Sequence, residues 1–212
     1  MHYDILDEKR RALLPLFACF KGRFYLAGGT ALALQIGHRD SVDFDFFTGE
    51  SINTEMLYLE CEEVFASHAI AKTQEEKNTL GITVDDVRIS FMSFHYPLVR
   101  DLVDEPYLAL ASLEEIACMK CSAITGRSAM KDYIDIFFLL KQFSLAEILV
   151  LATQKFSALD QNLILKSIVY FDDVREEPIR FTSGNETLWL TVQDTLKAAV
   201  TAYEHAGAST QK

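Results

Sequence analysis

Two aspartates, Asp43 and Asp45, stand one residue apart in SVDFDFFT (residues 41–48), a run that otherwise reads as a buried strand. Strand alternation puts Ser41, Asp43 and Asp45 on one face and Val42, Phe44 and Phe46 on the other. Two ionised carboxylates this close repel, and an isolated pair must hold a proton to relieve the repulsion. A divalent cation removes that difficulty. Hard oxygen ligands of this kind suit Mg²⁺ or Mn²⁺, whose remaining positions go to waters and phosphate oxygens. Two such ions could clamp both the attacking and the leaving oxygen in phosphoryl chemistry. The competing reading is a polar network in a structural domain, which requires buried cationic partners for the acids.

Upstream, the apolar run RFYLAG ends at Gly28-Gly29-Thr30, and TALALQIG follows with the composition of a helix. A strand that ends in glycines before a helix leaves backbone N–H groups uncovered and lets a phosphate approach closely. The Thr30 hydroxyl can cap the helix or bind a phosphate oxygen. Ordinary strand-to-helix turns use glycine as freely, and a lone D-x-D is equally unspecific. The combination of strand, GGT, helix and D-x-D strand is the informative signal.

The elements that must position these residues follow from periodicity. Residues 4–20 read as an opening helix, 23–28 as a short buried strand, 30–37 as a helix closed by Gly37, and 41–48 as a strand. A helix over 53–67 is capped near Asn53. Strands NTLGITV and VRISFMSF are joined by Asp85-Asp86, a pair suited to a tight hairpin turn. A connector with two prolines spans 96–110. Helices are expected at 112–126, 129–142, 144–156, 160–168 and 186–204. The shift near residue 100 divides a mixed α/β half, 1–100, from a helical half, 101–212.

Of the 212 residues, half are apolar and a quarter charged, which suits an ordinary globular chain with a sizeable core. Disorder is expected only in the closing residues, EHAGASTQK. No run is long enough to span a membrane and the N-terminus does not resemble a signal peptide, so a cytoplasmic location is expected. A net charge of −11 argues against a protein that simply coats nucleic acid with a cationic face, though a local basic patch can exist within an acidic whole. It is compatible with an enzyme that handles nucleotides through metal ions. Cys19, Cys61, Cys118 and Cys121 lack the ligand spacing of a zinc site and read as buried free thiols.

The glycine pair, helix and acid pair resemble the signature of the DNA polymerase β-like nucleotidyltransferase superfamily. More narrowly, FYLAGGTALALQIGHRDSVDFDFFT is similar to the abortive-infection nucleotidyltransferase toxins of the AbiEii/AbiGii type. A second block, SLEEIACMKCSAITGRSAMKDYIDIFFLL, resembles that family's helical segment, in which a lysine, an arginine and K/R-D-x-x-D recur. The resemblance implies an α+β fold: a polymerase β-like core of mixed sheet with flanking helices, then a mostly helical half that completes the nucleotide site. It assigns Gly28, Gly29 and Thr30 to the triphosphate and Asp43 and Asp45 to the metal. Lys120 would face the nucleotide phosphates, and Asp132 and Asp135 would be the later acidic positions, Asp135 lining the site.

The residues themselves agree in part. Lys120, Arg127 and Lys131 place three cations on or between consecutive helices, where they could offset phosphate charge. A solvated helix face explains Arg127 and Lys131 equally well. Lys120 lies inside IACMKCSAI and must snorkel, pair, or point into a polar cleft. Asp132 suits a helix start on dipole grounds, whereas Asp135, among Ile134, Ile136 and Phe137, is harder to explain as decoration. In GHRDS, His38 and Arg39 could touch the nucleotide or an RNA phosphate, or simply suit a helix C-terminus. Ser41, on the face of the acids, joins the nucleotide-binding set.

The implied reaction is metal-dependent transfer of a nucleoside monophosphate from a nucleoside triphosphate to an acceptor hydroxyl, on RNA such as a tRNA end or on protein. The implied biology is a toxin with a cognate antitoxin protein. One departure stands out. The superfamily's third carboxylate, on a neighbouring strand, aligns with Ser90, which binds a divalent ion weakly and is no base at neutral pH. That substitution is what favours the rival reading, a degenerate domain that binds nucleotide or a partner without turnover.

Overall fold

Phenylalanine rings set the frame of the first half of the chain. The ring of Phe17 meets Phe44 at 4.8 Å and Phe46 at 5.1 Å, both edge-on. Phe46 stacks on Phe91 at 5.3 Å, and Phe91 in turn meets Phe20 and Phe24, each at 5.1 Å. Edge-to-face and offset pairs of this kind add to the stabilisation from burial alone. The computed structural model describes residues 1–210, which divide into two compact units, Met1–Ser112 and the residues from Leu113 onward.

In the first unit the strands are β1 (Tyr25–Ala27), β2 (Phe44–Thr48), β3 (Ile70–Glu76), β4 (Thr79–Val84), β5 (Val87–Ser93), β6 (Val103–Asp104) and β7 (Ala109–Leu110). Among the described residues they form one mixed sheet in the order β3-β4-β5-β2-β1-β7-β6. β2 lies antiparallel to β1, with Ala27 opposite Asp45 and Tyr25 opposite Phe47. It lies parallel to β5, with Asp45 opposite Ser90. Alternation buries Phe44, Phe46 and Thr48 on the ring-packed side and leaves Asp45 and Phe47 half-buried on the other. Helices α1 (Glu8–Leu13), α2 (Gly28–Ile36) and α3 (Thr54–Val64) complete this unit. The Asn53 side chain caps α3 through the Met56 N–H at 3.1 Å.

Several expectations need correction. The single opening helix over 4–20 is broken into a 3-10 turn at Tyr3–Ile5, the short α1 capped by Asp7, and a 3-10 segment at Leu14–Cys19 with Pro15 in its first turn. Proline removes an N–H from the α ladder and clashes with the preceding turn. The strand expected from Ser41 begins only at Phe44, and Val42 is 53% exposed. Residues 41–43 are instead held to α2, where the Thr30 hydroxyl reaches Ser41 Oγ at 2.7 Å and also bonds the Asp43 carbonyl. Strand β3, an edge strand exposed along nearly its whole length, gave no apolar alternation to read. β6 and β7 lie inside the stretch read as a connector. The β4–β5 hairpin turns at Asp85 and Asp86, both left-handed with φ of 48° and 70°, as a two-residue primed turn requires.

The second unit consists of helices α4 (Leu113–Gly126), α5 (Met130–Leu139), α6 (Leu145–Lys155), α7 (Gln161–Ile168) and α8 (Trp189–Thr210). Helix α4 packs against α5, α6 and α7. A fully buried ion pair, Lys155 to Glu115 at 2.6 Å, ties α6 to α4. Ser144 and Glu147 form a reciprocal capping box at the start of α6. Helix α8 runs through Thr210, so EHAGAST is helical rather than disordered; its alanines and glutamate are strong helix formers. Gln211 and Lys212 lie outside the described residues.

All four cysteines are free, and burial pushes the Cys61 and Cys118 thiols up to about 12. Cys19, expected to be buried, is exposed at the end of its 3-10 segment. No helix among the described residues is long and apolar enough to cross a membrane.

Gly37 closes α2 in the left-handed region, with φ of 61° and its N–H bonded to the Ala33 carbonyl at 2.8 Å. A Cβ there would stand 2.5 Å from His2 Nδ1. Gly37→Ala is expected to cost about 1–2 kcal/mol, read as a lower urea midpoint with an unchanged slope.

Candidate active site

Strand β1 ends at Ala27, whose extended backbone caps α2, and the helix begins at the glycine pair itself rather than after it. The first-turn N–H groups of a helix have no partner within the helix, so Gly28, Gly29 and Thr30 offer donors at this end of the sheet. Gly28 adopts φ of 68°, a conformation natural to glycine, and lies against Asp45. A Cβ on Gly28 would come within 3.4 Å of Asp45 Oδ2. The other oxygen, Oδ1, accepts the Ser90 hydroxyl at 2.5 Å across the β2–β5 pairing. Ser90 therefore stands beside the acids, at the place the third carboxylate was expected.

Asp43 precedes β2 and is half-buried, its backbone carbonyl held by Thr30. Among the described residues, neither Asp43 nor Asp45 forms an ion pair with a lysine or arginine. The reading that makes the acids part of a structural ionic network therefore lacks the cations it requires. Two half-exposed carboxylates with no ion pair to a lysine or arginine among the described residues, and with glycine rather than a side chain against one of them, fit a hard divalent ion that keeps waters and phosphates as further ligands.

The loop after α2 folds back over its start. Arg39 is 5% exposed, and its Nη1 donates to the Asp40 carbonyl at 2.9 Å. Its guanidinium lies so close to Gly29 that a Cβ there would stand 2.6 Å from Nη2. His38 is fully buried. Gly29, Thr30, Arg39 and Ser41 are thus joined into one support under the segment that delivers Asp43.

The later residues form a different cluster inside the second unit. Lys120 Nζ, on α4, lies 2.7 Å from Asp132 Oδ1 and 2.5 Å from Asp135 Oδ2, both on α5. Arg127 bonds Asp132 through Nε at 2.7 Å and Nη2 at 3.2 Å. Both carboxylates are fully buried and Lys120 is 5% exposed. Of the three options for Lys120, the one observed is pairing. Burial alone would raise the Asp132 carboxyl, but the charges of Lys120 and Arg127 outweigh it and hold the group below its ordinary value. The Lys131 side chain takes no part in this cluster, and its backbone N–H lies 3.5 Å from Glu177 Oε1.

One set of residues was not singled out from the sequence: Phe47, next along the acid-bearing face of β2, with Phe94 and Tyr96 beyond β5. The signal was present, because the alternation that pairs Asp43 with Asp45 continues to Phe47.

Comparison with known proteins gives consistent results. Residues 16–205 match the family described as "Nucleotidyl transferase AbiEii toxin, Type IV TA system". The uncharacterized protein aq_aa25 of Aquifex aeolicus (strain VF5) is 35% identical over 203 residues, covering 92% of this chain and 96% of that protein. Among solved structures, MenT4, a nucleotidyltransferase toxin of Mycobacterium tuberculosis H37Rv, is similar with a TM-score of 0.62 at 15% identity, over 90% of this chain and 82% of that one. JHP933 from Helicobacter pylori is similar with a TM-score of 0.52 at 15% identity, over 97% and 96%. These two likenesses establish the α+β nucleotidyltransferase fold.

The buried cluster makes a stability prediction. Lys120→Met leaves Asp135 without its lysine and Asp132 with Arg127 alone, and is expected to cost about 3–5 kcal/mol. Adding Asp135→Asn should restore part of the loss in the same denaturation assay. Because the Asp132 carboxyl is held below its ordinary value, its stabilising contribution is complete above about pH 4 and is lost as pH falls through its lower folded value. Wild-type stability should therefore fall below about pH 4, and Asp132→Asn should flatten that part of the profile.

Proposed function

This chain belongs to the AbiEii nucleotidyltransferase toxin family, and from that premise we propose that it transfers a nucleoside monophosphate from a nucleoside triphosphate to a hydroxyl of an RNA acceptor. The observation that carries the reading is the pair Asp43 and Asp45. They stand half-exposed beside the start of α2, without cationic partners among the described residues and with Gly28 against Asp45.

The phosphates of the nucleotide lie at Gly28–Thr30, where uncovered N–H groups and the positive end of the helix favour an anion. Asp43 and Asp45 would hold a magnesium or manganese ion, which would supply charge neutralisation and Lewis-acid polarisation for the phosphates. The acceptor oxygen bonds to the α-phosphorus as the bond from that phosphorus to the bridging oxygen breaks. Pyrophosphate leaves and the hydroxyl proton passes to water. Ser90 acts as a positioning residue: its hydroxyl fixes Asp45 Oδ1 and so orients the other oxygen. Arg39 and Ser41 hold the loop that delivers Asp43. A tRNA end is the proposed acceptor, growth inhibition in the cytoplasm the outcome, and a cognate antitoxin protein the counterpart.

Incubation with each α-labelled nucleoside triphosphate, Mg²⁺ and total bacterial RNA should label RNA. Asp43→Asn with Asp45→Asn should lower the rate by about 10³-fold or more, while the thermal midpoint holds or rises because the repulsion is gone. Ser90→Ala should lower it about 10- to 100-fold, as loss of support behind a metal ligand does. Label retained by the double variant removes the assignment of the acids, and label found only in protein moves the acceptor to a protein hydroxyl.

A further inference from the structure

The face of the sheet that carries the acids also carries a row of aromatic rings. Phe47 follows Asp45 by two residues, about 6.6 Å along the strand. Its ring meets Phe94 at 5.7 Å, and Phe94 meets Tyr96 at 5.0 Å. On the other side Phe47 stacks against Tyr25 at 6.1 Å. Burial declines along the row: Tyr25 is buried, Phe47 and Phe94 are half-buried, and Tyr96 is 47% exposed. The backbone fixes the row, because the Phe94 N–H bonds the Thr48 carbonyl at 2.7 Å and extends the β5–β2 ladder past Ser93. His95 Nδ1 lies 2.8 Å from the Gly49 carbonyl and ties down the step before Tyr96.

The direction of the row decides what it can do. Ala27 is opposite Asp45 and Tyr25 is opposite Phe47, and Gly28 follows Ala27. The glycine turn therefore lies to one side of Asp45 along the strand direction, and the aromatic row lies to the other. In an in-line displacement the attacking oxygen arrives opposite the leaving group. With the leaving pyrophosphate at Gly28–Thr30, the acceptor must approach from the side of Phe47. Flat rings of graded exposure at that position match unpaired nucleobases, which stack on aromatic side chains whatever their sequence.

We propose that Phe47, Phe94 and Tyr96 form a stacking platform for unpaired bases of the acceptor RNA, a proposal that rests on the nucleotidyl-transfer reading of the acids. The probe is a fluorescein-labelled single-stranded oligoribonucleotide, with a matched strand carrying abasic positions, followed by anisotropy with the full chain. Tyr96→Ala and Tyr96→Leu should each weaken binding about 5- to 100-fold, and Tyr96→Phe should stay within about twofold of wild type. The abasic strand should bind wild type and Tyr96→Ala alike. Thermal midpoints of these variants should match wild type, because the side chain is nearly half exposed, and affinity for the magnesium–nucleotide complex should not change.

Wild-type affinity in Tyr96→Ala, equal binding of Tyr96→Leu and wild type, or undiminished binding of the abasic strand overturns the platform. A loss confined to nucleotide affinity also overturns it, by giving the rings to the triphosphate's own base. Transfer that survives in the Asp43→Asn, Asp45→Asn variant defeats the assignment of the acids, and absence of label from wild type defeats the nucleotidyl-transfer reading; the anisotropy result is read independently of both.

Discussion

Asp43, just before β2, and Asp45, within it, are two like charges with no ion pair to a lysine or arginine among the described residues, and the candidate site depends on them. Ser90 supplies one neutral hydrogen bond to Asp45, and Thr30 holds Asp43 by its backbone carbonyl. The opposite face of β2 is apolar. Phe44 and Phe46 are buried there against Phe17 and Phe91, and burial of each large side chain contributes about 1.5–3 kcal/mol. The same short strand thus joins a packed aromatic core on one face to Asp45 on the other.

The second unit treats the same side chain in the opposite way. Asp132 and Asp135 are buried completely, and Lys120 and Arg127 answer their charge. Each carboxylate there is already paired within its own unit, so burying the cluster costs far less than burying an unpaired charge. The two pairs of aspartates share composition and even similar apolar neighbours. What separates the two pairs is the presence of cations in space: Lys120 and Arg127 pair with Asp132 and Asp135, whereas Asp43 and Asp45 have no such ion pair among the described residues.

That distinction marks where sequence reading succeeds and where it stops. The β2 alternation, the Asn53 cap and the Asp85-Asp86 turn depend on residues close in sequence or on a fixed strand period, and these were legible; Ser90 beside Asp45 was implied only by the family resemblance. The pairing of Lys120 with Asp132 and Asp135 depends on how α4 turns into α5, which no periodicity encodes. Pro15 was visible, but a pattern of apolar residues at helical spacing masked its effect on the opening segment. β3 has no buried face to generate alternation, because its role is to close an edge of the sheet. The aromatic row escaped notice since Phe94 and Tyr96 join Phe47 only through the β2–β5 pairing.

The serine beside Asp45 gives the site its charge balance. Two carboxylates carry a formal charge of −2, which one divalent ion cancels; a third acid in place of Ser90 would leave an excess of negative charge for a second ion to answer. A neutral hydroxyl donor instead fixes Oδ1 without adding charge, so further ions depend on the phosphates the nucleotide brings. On the proposed reading the protein supplies a pair of ligands and fixes the orientation of Asp45, and the substrate supplies the rest of the electrostatics. Specificity must then come from parts of the site that do not act through charge, and on this face of the sheet the uncharged groups placed to provide it are the rings of Phe47, Phe94 and Tyr96.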